Sequence, residues 1–191
     1  MKNILQQHGL IYKMKDRGVE LITLAKIDLI KGRSYANLEE LSKLLRDNYE
    51  TKWSEKNTST RYEDSYCPPS PIVDEIIEEM QTDFYAGTQE KIVCSNYWGH
   101  IHEKNMSTNT HNHRDAYVSA VLYVDIPQGC GNIVFSPKYN QYDNSAYYSS
   151  FKAERGVYYM FPGYLDHFVT RNNSEEKRVS ISFNFHKDEN S

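Results

Sequence analysis

The chain has 191 residues and a formal net charge of -4. That length fits one domain with a real core, and the mild acidity supplies no global basic field for nucleic acid or an anionic membrane, while leaving a local basic channel open. Three cysteines, Cys67, Cys94 and Cys130, are far apart and form no CxxC pair, which argues against a disulfide framework or zinc ribbon and for a reducing compartment. The opening residues Met1–His8 hold no apolar run of signal-peptide length and nothing later approaches a membrane span, so the expected location is the cytoplasm.

In chain order, Val19-Glu-Leu-Ile-Thr-Leu-Ala25 is expected to be a strand. Leu38, Leu41, Leu44 and Leu45 then repeat at helical spacing behind the polar start signals Ser34 and Asn37, which predicts an amphipathic helix with its leucines facing the core. Residues 48–71 are polar, carry Trp53, Tyr62 and Tyr66, and end in Cys67-Pro-Pro-Ser-Pro71. A surface loop of that length is most often a lid, a binding loop or disorder. Pro71 opens a second helix over 72–84, with Ile72, Ile76, Ile77 and Met80 on one side and acidic residues on its solvated side.

From Lys91 the pattern changes to period two and to continuous apolar runs. Residues 92–98, 117–124, 132–135, 156–161, 167–170 and 179–185 read as strands separated by Gly, Asn, Pro or Ser clusters. Short strands following two helices predict an α+β, mainly β, domain with a sandwich or barrel core. Sixteen tyrosines suit such strand-rich packing.

The chemistry is concentrated in His111-Asn112-His113-Arg114-Asp115, with His167 and Arg178 downstream. In an extended strand, side chains two apart share a face about 7 Å apart, so His111, His113 and Asp115 would all point the same way. A metal could then take His113 with Asp115, or His111 with His113. Two histidines and a carboxylate with open positions elsewhere suit non-haem Fe(II), whereas a structural zinc site closes with four ligands. His100 and His102 also share a face, but with no third ligand nearby they read as surface or core-edge residues.

His113-x-Asp115, a second histidine at His167 after Gly156-x-x-x-x-Phe161-Pro162, and Arg178-x-Ser180 eleven residues beyond His167 resemble the signature of the 2-oxoglutarate and Fe(II)-dependent dioxygenases. Residues 92 to 186 carry the likeness, and they resemble a short branch of that superfamily marked by His-x-His ahead of its strand, here Val118 to Val124. The resemblance implies a double-stranded β-helix (jelly-roll or cupin-like) core over 91–186, with N-terminal helices from residues 1–90 packed on it in a single 1–191 domain. It implies Fe(II), 2-oxoglutarate and O2 as cofactor and co-substrates, with release of succinate and CO2 and hydroxylation of a small-molecule or peptide substrate. His113, Asp115 and His167 would hold the metal, with His111 the alternative to Asp115. Arg178, Ser180 and Tyr123 would hold the far carboxylate of 2-oxoglutarate. Two competing classes remain: a non-catalytic or differently metallated cupin-like binder, and an interaction protein that uses the tyrosine-rich insert 139–148.

Overall fold

Antiparallel pairing brings strands from both ends of the chain into one sheet. In the computed structural model, residues 11–14, 19–24, 27–52, 67–136 and 148–189 are described. The elements are β1 (Ile11–Met14), β2 (Val19–Leu24), β3 (Ile27–Arg33), α1 (Leu38–Lys52), α2 (Pro71–Thr88), β4 (Ile92–His102), β5 (Thr108–His111), β6 (Val118–Asp125), β7 (Ile133–Phe135), β8 (Ser149–Phe151), β9 (Val157–Pro162), β10 (His167–Val169) and β11 (Arg178–Lys187). A seven-stranded sheet has the order β1-β2-β3-β9-β6-β11-β4, and a four-stranded sheet has the order β5-β10-β7-β8. This is the expected double-stranded β-helix. Met1–His8, Trp53, Tyr62 and Tyr66 of the polar loop, and 139–147 of the tyrosine-rich insert lie outside the described residues. No helix among the described residues is long and apolar enough to cross a membrane.

The period-two alternation of β11 decides what each face does. Val179, Ile181, Phe183 and Phe185 are fully buried in an apolar layer with Leu41, Ile76 and Met80 of the helices. Arg178, Ser180 and Ser182 point the other way and line a cavity between the sheets. A second apolar cluster, including Val121, Tyr123, Phe135 and Phe161, fills the rest of that inter-sheet space. Both helices begin near their expected positions: the Asn37 side-chain oxygen accepts from Glu40 N at 3.3 Å, and Pro71 occupies the first turn of α2, where no backbone donor is needed.

The sequence reading misses β1, β3, β5 and β8. Three strands precede Ser34, of which β2 is the strand expected over 19–25; β3 pairs with β9 and extends the large sheet. β5 (Thr-Asn-Thr-His) and β8 (Ser-Ser-Phe) are short and mostly polar. They are held by cross-strand hydrogen bonds and carry no apolar run of their own.

Candidate metal and co-substrate site

β5 and β10 are antiparallel, with His111 opposite His167. His113 lies beyond the end of β5, where its backbone N–H donates to Gly163 O at 2.7 Å. A side-chain carbon at Gly163 would lie 2.1 Å from Ala116 O and 2.6 Å from His113 O, so only glycine allows this approach. The result is a cluster in which one ring nitrogen from each of His111, His113 and His167 lies within 4.8 Å of the others.

Two of these rings are oriented by their second nitrogen. His111 Nδ1 bonds Asn109 O at 2.7 Å, and His167 Nδ1 bonds Leu165 O at 2.9 Å. A carbonyl oxygen only accepts, so Nδ1 carries the proton and Nε2 keeps its lone pair for a metal. Burial pushes the His167 imidazole down to about 3 and that of His113 to about 4. Burial likewise lowers His111. All three are therefore neutral, ligand-competent rings near neutral pH.

Asp115, expected beside His113, is not part of this cluster among the described residues. β5 stops at His111, and the chain then turns, with Ala116 N donating to His113 O at 2.8 Å. The strand alternation that would have aligned Asp115 with His113 never reaches it, and Asp115 is exposed in that turn. His113 and Asp115 also do not start a strand, since β6 begins at Val118. The Asp166 carboxylate acts on the cluster, pulling the His111 and His167 imidazoles upward against burial. Asp166 Oδ1 accepts from Asn112 Nδ2 at 2.6 Å, joining the segment that carries His111 and His113 to the one that carries His167.

Deeper in the same cavity stands Arg178, 1% exposed. Its Nε and Nη1 have no hydrogen-bond partner among the described residues, and neither do Ser180 Oγ or Tyr123 Oη. The guanidinium carbon lies 5.2 Å from the Tyr123 ring centroid. A buried, unpaired cation costs several kcal/mol, and burial lowers its pKa. His100 and His102 are not edge residues: both line this cavity, opposite Ser180 and Arg178 in the β4–β11 register.

Residues 96–184 match a protein-family model described as "Putative 2OG-Fe(II) oxygenase". The match covers a little under half of the chain and marks this stretch as similar to the 2OG-Fe(II) oxygenases. No curated protein matches the chain by sequence. Among solved structures the chain is similar to a prolyl-4-hydroxylase from Pseudomonas putida (16% identity, TM-score 0.60, 85% of this chain and 95% of that one). It is also similar to SnoK, a non-heme alpha ketoglutarate dependent carbocyclase from nogalamycin biosynthesis (9%, 0.64, 84% and 79%). A third similar structure is the epimerase SnoN in complex with Fe3+, alpha ketoglutarate and nogalamycin RO (11%, 0.58, 83% and 78%). These likenesses establish the fold.

The cavity fits the cofactor and co-substrate of the matching family on its own chemistry. Three neutral imidazoles, two of them oriented by backbone carbonyls, suit a ferrous ion, and a guanidinium and two hydroxyls without partners among the described residues suit a carboxylate. Sequence reasoning missed Trp98, whose ring lies 5.5 Å from that of His113, along with His100, His102, Asn112 and Asp166. The Trp98-x-His100-x-His102 alternation was the available signal for the first three.

Proposed function

We propose that this chain is a 2-oxoglutarate and Fe(II)-dependent oxygenase in which His111, His113 and His167 hold Fe(II), Arg178, Ser180 and Tyr123 hold the far carboxylate of 2-oxoglutarate, and a C–H bond of a small-molecule or peptide substrate is hydroxylated. The observation that carries this reading is the buried Arg178 with unpartnered Nε and Nη1, opening on the same cavity as the three imidazoles. A cupin-like binder of another kind has no use for an unpaired guanidinium at that place, and burying one without a carboxylate is unfavourable.

When bound, Fe(II) with 2-oxoglutarate and O2 supplies the oxidising power, releasing succinate and CO2 and delivering oxygen to the substrate. The residues of the chain bind, orient and shield. The backbone carbonyls of Asn109 and Leu165 hold the His111 and His167 rings in one tautomer, so that the metal meets lone pairs without prior proton loss. Arg178 offers a planar fork of donors to a carboxylate and stays charged at working pH, which fixes the length of dicarboxylate the cavity accepts. Phe161, Val121 and Ile133 add apolar lining to the same cavity and limit water near the oxidant. The similar structures are named as a hydroxylase, a carbocyclase and an epimerase, so one scaffold supports several outcomes of C–H attack, and the substrate pose selects among them.

The test is succinate release with Fe(II), 2-oxoglutarate and O2, beside an anaerobic 2-oxoglutarate titration of the ferrous enzyme. Turnover and binding that both vanish in His111→Ala and Arg178→Ala but persist in Asp115→Ala are the expected result. Binding unaffected by Arg178→Ala would sink the assignment. A candidate substrate then gains one oxygen by mass spectrometry if the reaction is hydroxylation.

A further inference from the structure

His102 is 4% exposed and sits on β4 directly opposite Arg178 on β11. Its Nε2 is occupied by Thr108 Oγ1 at 2.9 Å. Its Nδ1 is buried, has no partner among the described residues, and belongs to a side chain lining the cavity that Arg178 and Ser180 also line. Unpartnered buried polar atoms are uncommon in folded proteins, and here, among the described residues, Arg178 Nε and Nη1, Ser180 Oγ, Tyr123 Oη and His102 Nδ1 are such atoms on three adjacent strands; His102, Arg178 and Ser180 line one cavity, and the Tyr123 ring lies 5.2 Å from the Arg178 guanidinium carbon.

An ionised carboxylate offers about four lone-pair sites. The Arg178 fork takes two. Hydroxyls rotate and can accept as well as donate, so Ser180 and Tyr123 fit several partners, whereas an imidazole with one nitrogen occupied has a single fixed direction left. We propose that His102 is a further co-substrate-binding residue, donating Nδ1–H to the distal carboxylate of 2-oxoglutarate, with Thr108 O–H bonding Nε2 to hold the ring in that tautomer. The proposal rests on the reading of the cavity as a 2-oxoglutarate site and adds to it a residue outside the Arg-x-Ser motif. It also gives Thr108, on the polar strand β5, a role in co-substrate selection as well as in sheet pairing.

The experiment measures anaerobic binding of 2-oxoglutarate and of 2-oxopentanoate to the Fe(II) enzyme by the charge-transfer absorption of the ferrous 2-oxo-acid chelate. 2-Oxopentanoate has the same chelating end but finishes in a methyl group. A hydrogen bond to a charged group corresponds to about a tenfold change in affinity or more. His102→Ala is expected to weaken 2-oxoglutarate about tenfold and to leave 2-oxopentanoate unchanged. Thr108→Val should do the same by releasing the tautomer. His102→Asn, whose amide N–H can stand near the Nδ1 position, should recover most of the affinity, and His102→Gln should not. Equal loss for both 2-oxo acids, or no loss for either, would overturn the role. If His102→Ala fails to fold, the Asn and Thr108→Val variants decide between the same two outcomes. A wild-type enzyme that binds no 2-oxoglutarate, or whose binding ignores Arg178, would instead overturn the reading of the cavity itself, and the proposal with it.

Discussion

His111 and His167 are partners across the β5–β10 ladder, and their ring centroids stand 4.2 Å apart. Register therefore fixes one edge of the histidine cluster before any metal binds, because slipping a strand by one residue turns every side chain to the opposite face. The third ring, His113, comes from the loop after β5 and closes on the pair at 5.1 and 5.2 Å.

The consequence for the metal is a sharp contrast between two neighbouring substitutions. His111→Ala removes a ligand-competent ring from the cluster and should lower Co(II) or Fe(II) affinity by more than the 10- to 100-fold typical of losing an outer-shell partner. Asp115→Ala alters an exposed turn and should change affinity less than twofold. Isothermal titration of the apo protein checks both, and a large effect of Asp115→Ala with a small one of His111→Ala would restore the carboxylate as the ligand.

The connection between the two ligand-bearing segments gives a second contrast. Asn112 lies between two of the histidines and bonds Asp166, which adjoins the third. Asn112→Ala breaks the link and keeps the charge, whereas Asp166→Asn removes the charge and can keep a hydrogen bond. If orientation dominates, Asn112→Ala weakens metal binding about tenfold and Asp166→Asn does so less; if the carboxylate's field dominates, the order reverses. Gly163→Ala should weaken metal binding whichever holds, since the added carbon collides with His113 O and Ala116 O and displaces the His113 turn.

Much of this was legible in the sequence, and the failures have physical causes. The α1 leucines, the Pro71 helix start and the long apolar strands β6, β9 and β11 announce themselves through burial periodicity, because burial holds them in place. Arg178 and Ser180 stood out by their spacing from His167, and β11's alternation places both on the cavity side. Asp115 falls outside the histidine cluster because a period-two argument holds only while the strand lasts, and β5 ends at His111. Nothing in Thr-Asn-Thr-His-Asn-His-Arg-Asp marks that end: the turn is made by backbone bonds from His113 to Gly163 and from Ala116 to His113, and Gly163 lies some fifty residues downstream. His102 was passed over because its partners, Arg178 and Thr108, reach it through sheet pairing and an intervening loop, and neither relation shows in local sequence.

Arg178 predicts an opposition between stability and function. A buried charge carries a desolvation penalty of roughly several kcal/mol that an apolar side chain of similar length does not. Arg178→Met should therefore raise the melting temperature of the apo protein, by about 2–4 °C per kcal/mol at this size. The same variant should bind 2-oxoglutarate about a hundredfold more weakly, from the loss of two charge-assisted hydrogen bonds. Calorimetric scans with and without 2-oxoglutarate test this, and a destabilised apo Arg178→Met would mean the guanidinium is paired in the free protein.

Acid sensitivity of the apo protein follows from the buried imidazoles. Burial holds His102 and His167 down to about 3 in the folded chain, against about 6.5 in an unfolded one. Between those values the unfolded chain binds protons that the folded chain refuses, so stability is intact above about pH 6.5 and falls as the pH drops towards 3. Each group contributes a slope of roughly 1.4 kcal/mol per pH unit inside that window. Urea melts at pH 6.5 and pH 5, where most carboxylates remain ionised, isolate this contribution from general acid unfolding. His102→Asn should flatten the slope by about one proton's worth, and bound Fe(II) should steepen it by adding competition between metal and proton at the three-histidine cluster. A slope unchanged by His102→Asn would mean that His102 is as easily protonated in the folded protein as in the unfolded one, contrary to its burial against Arg178.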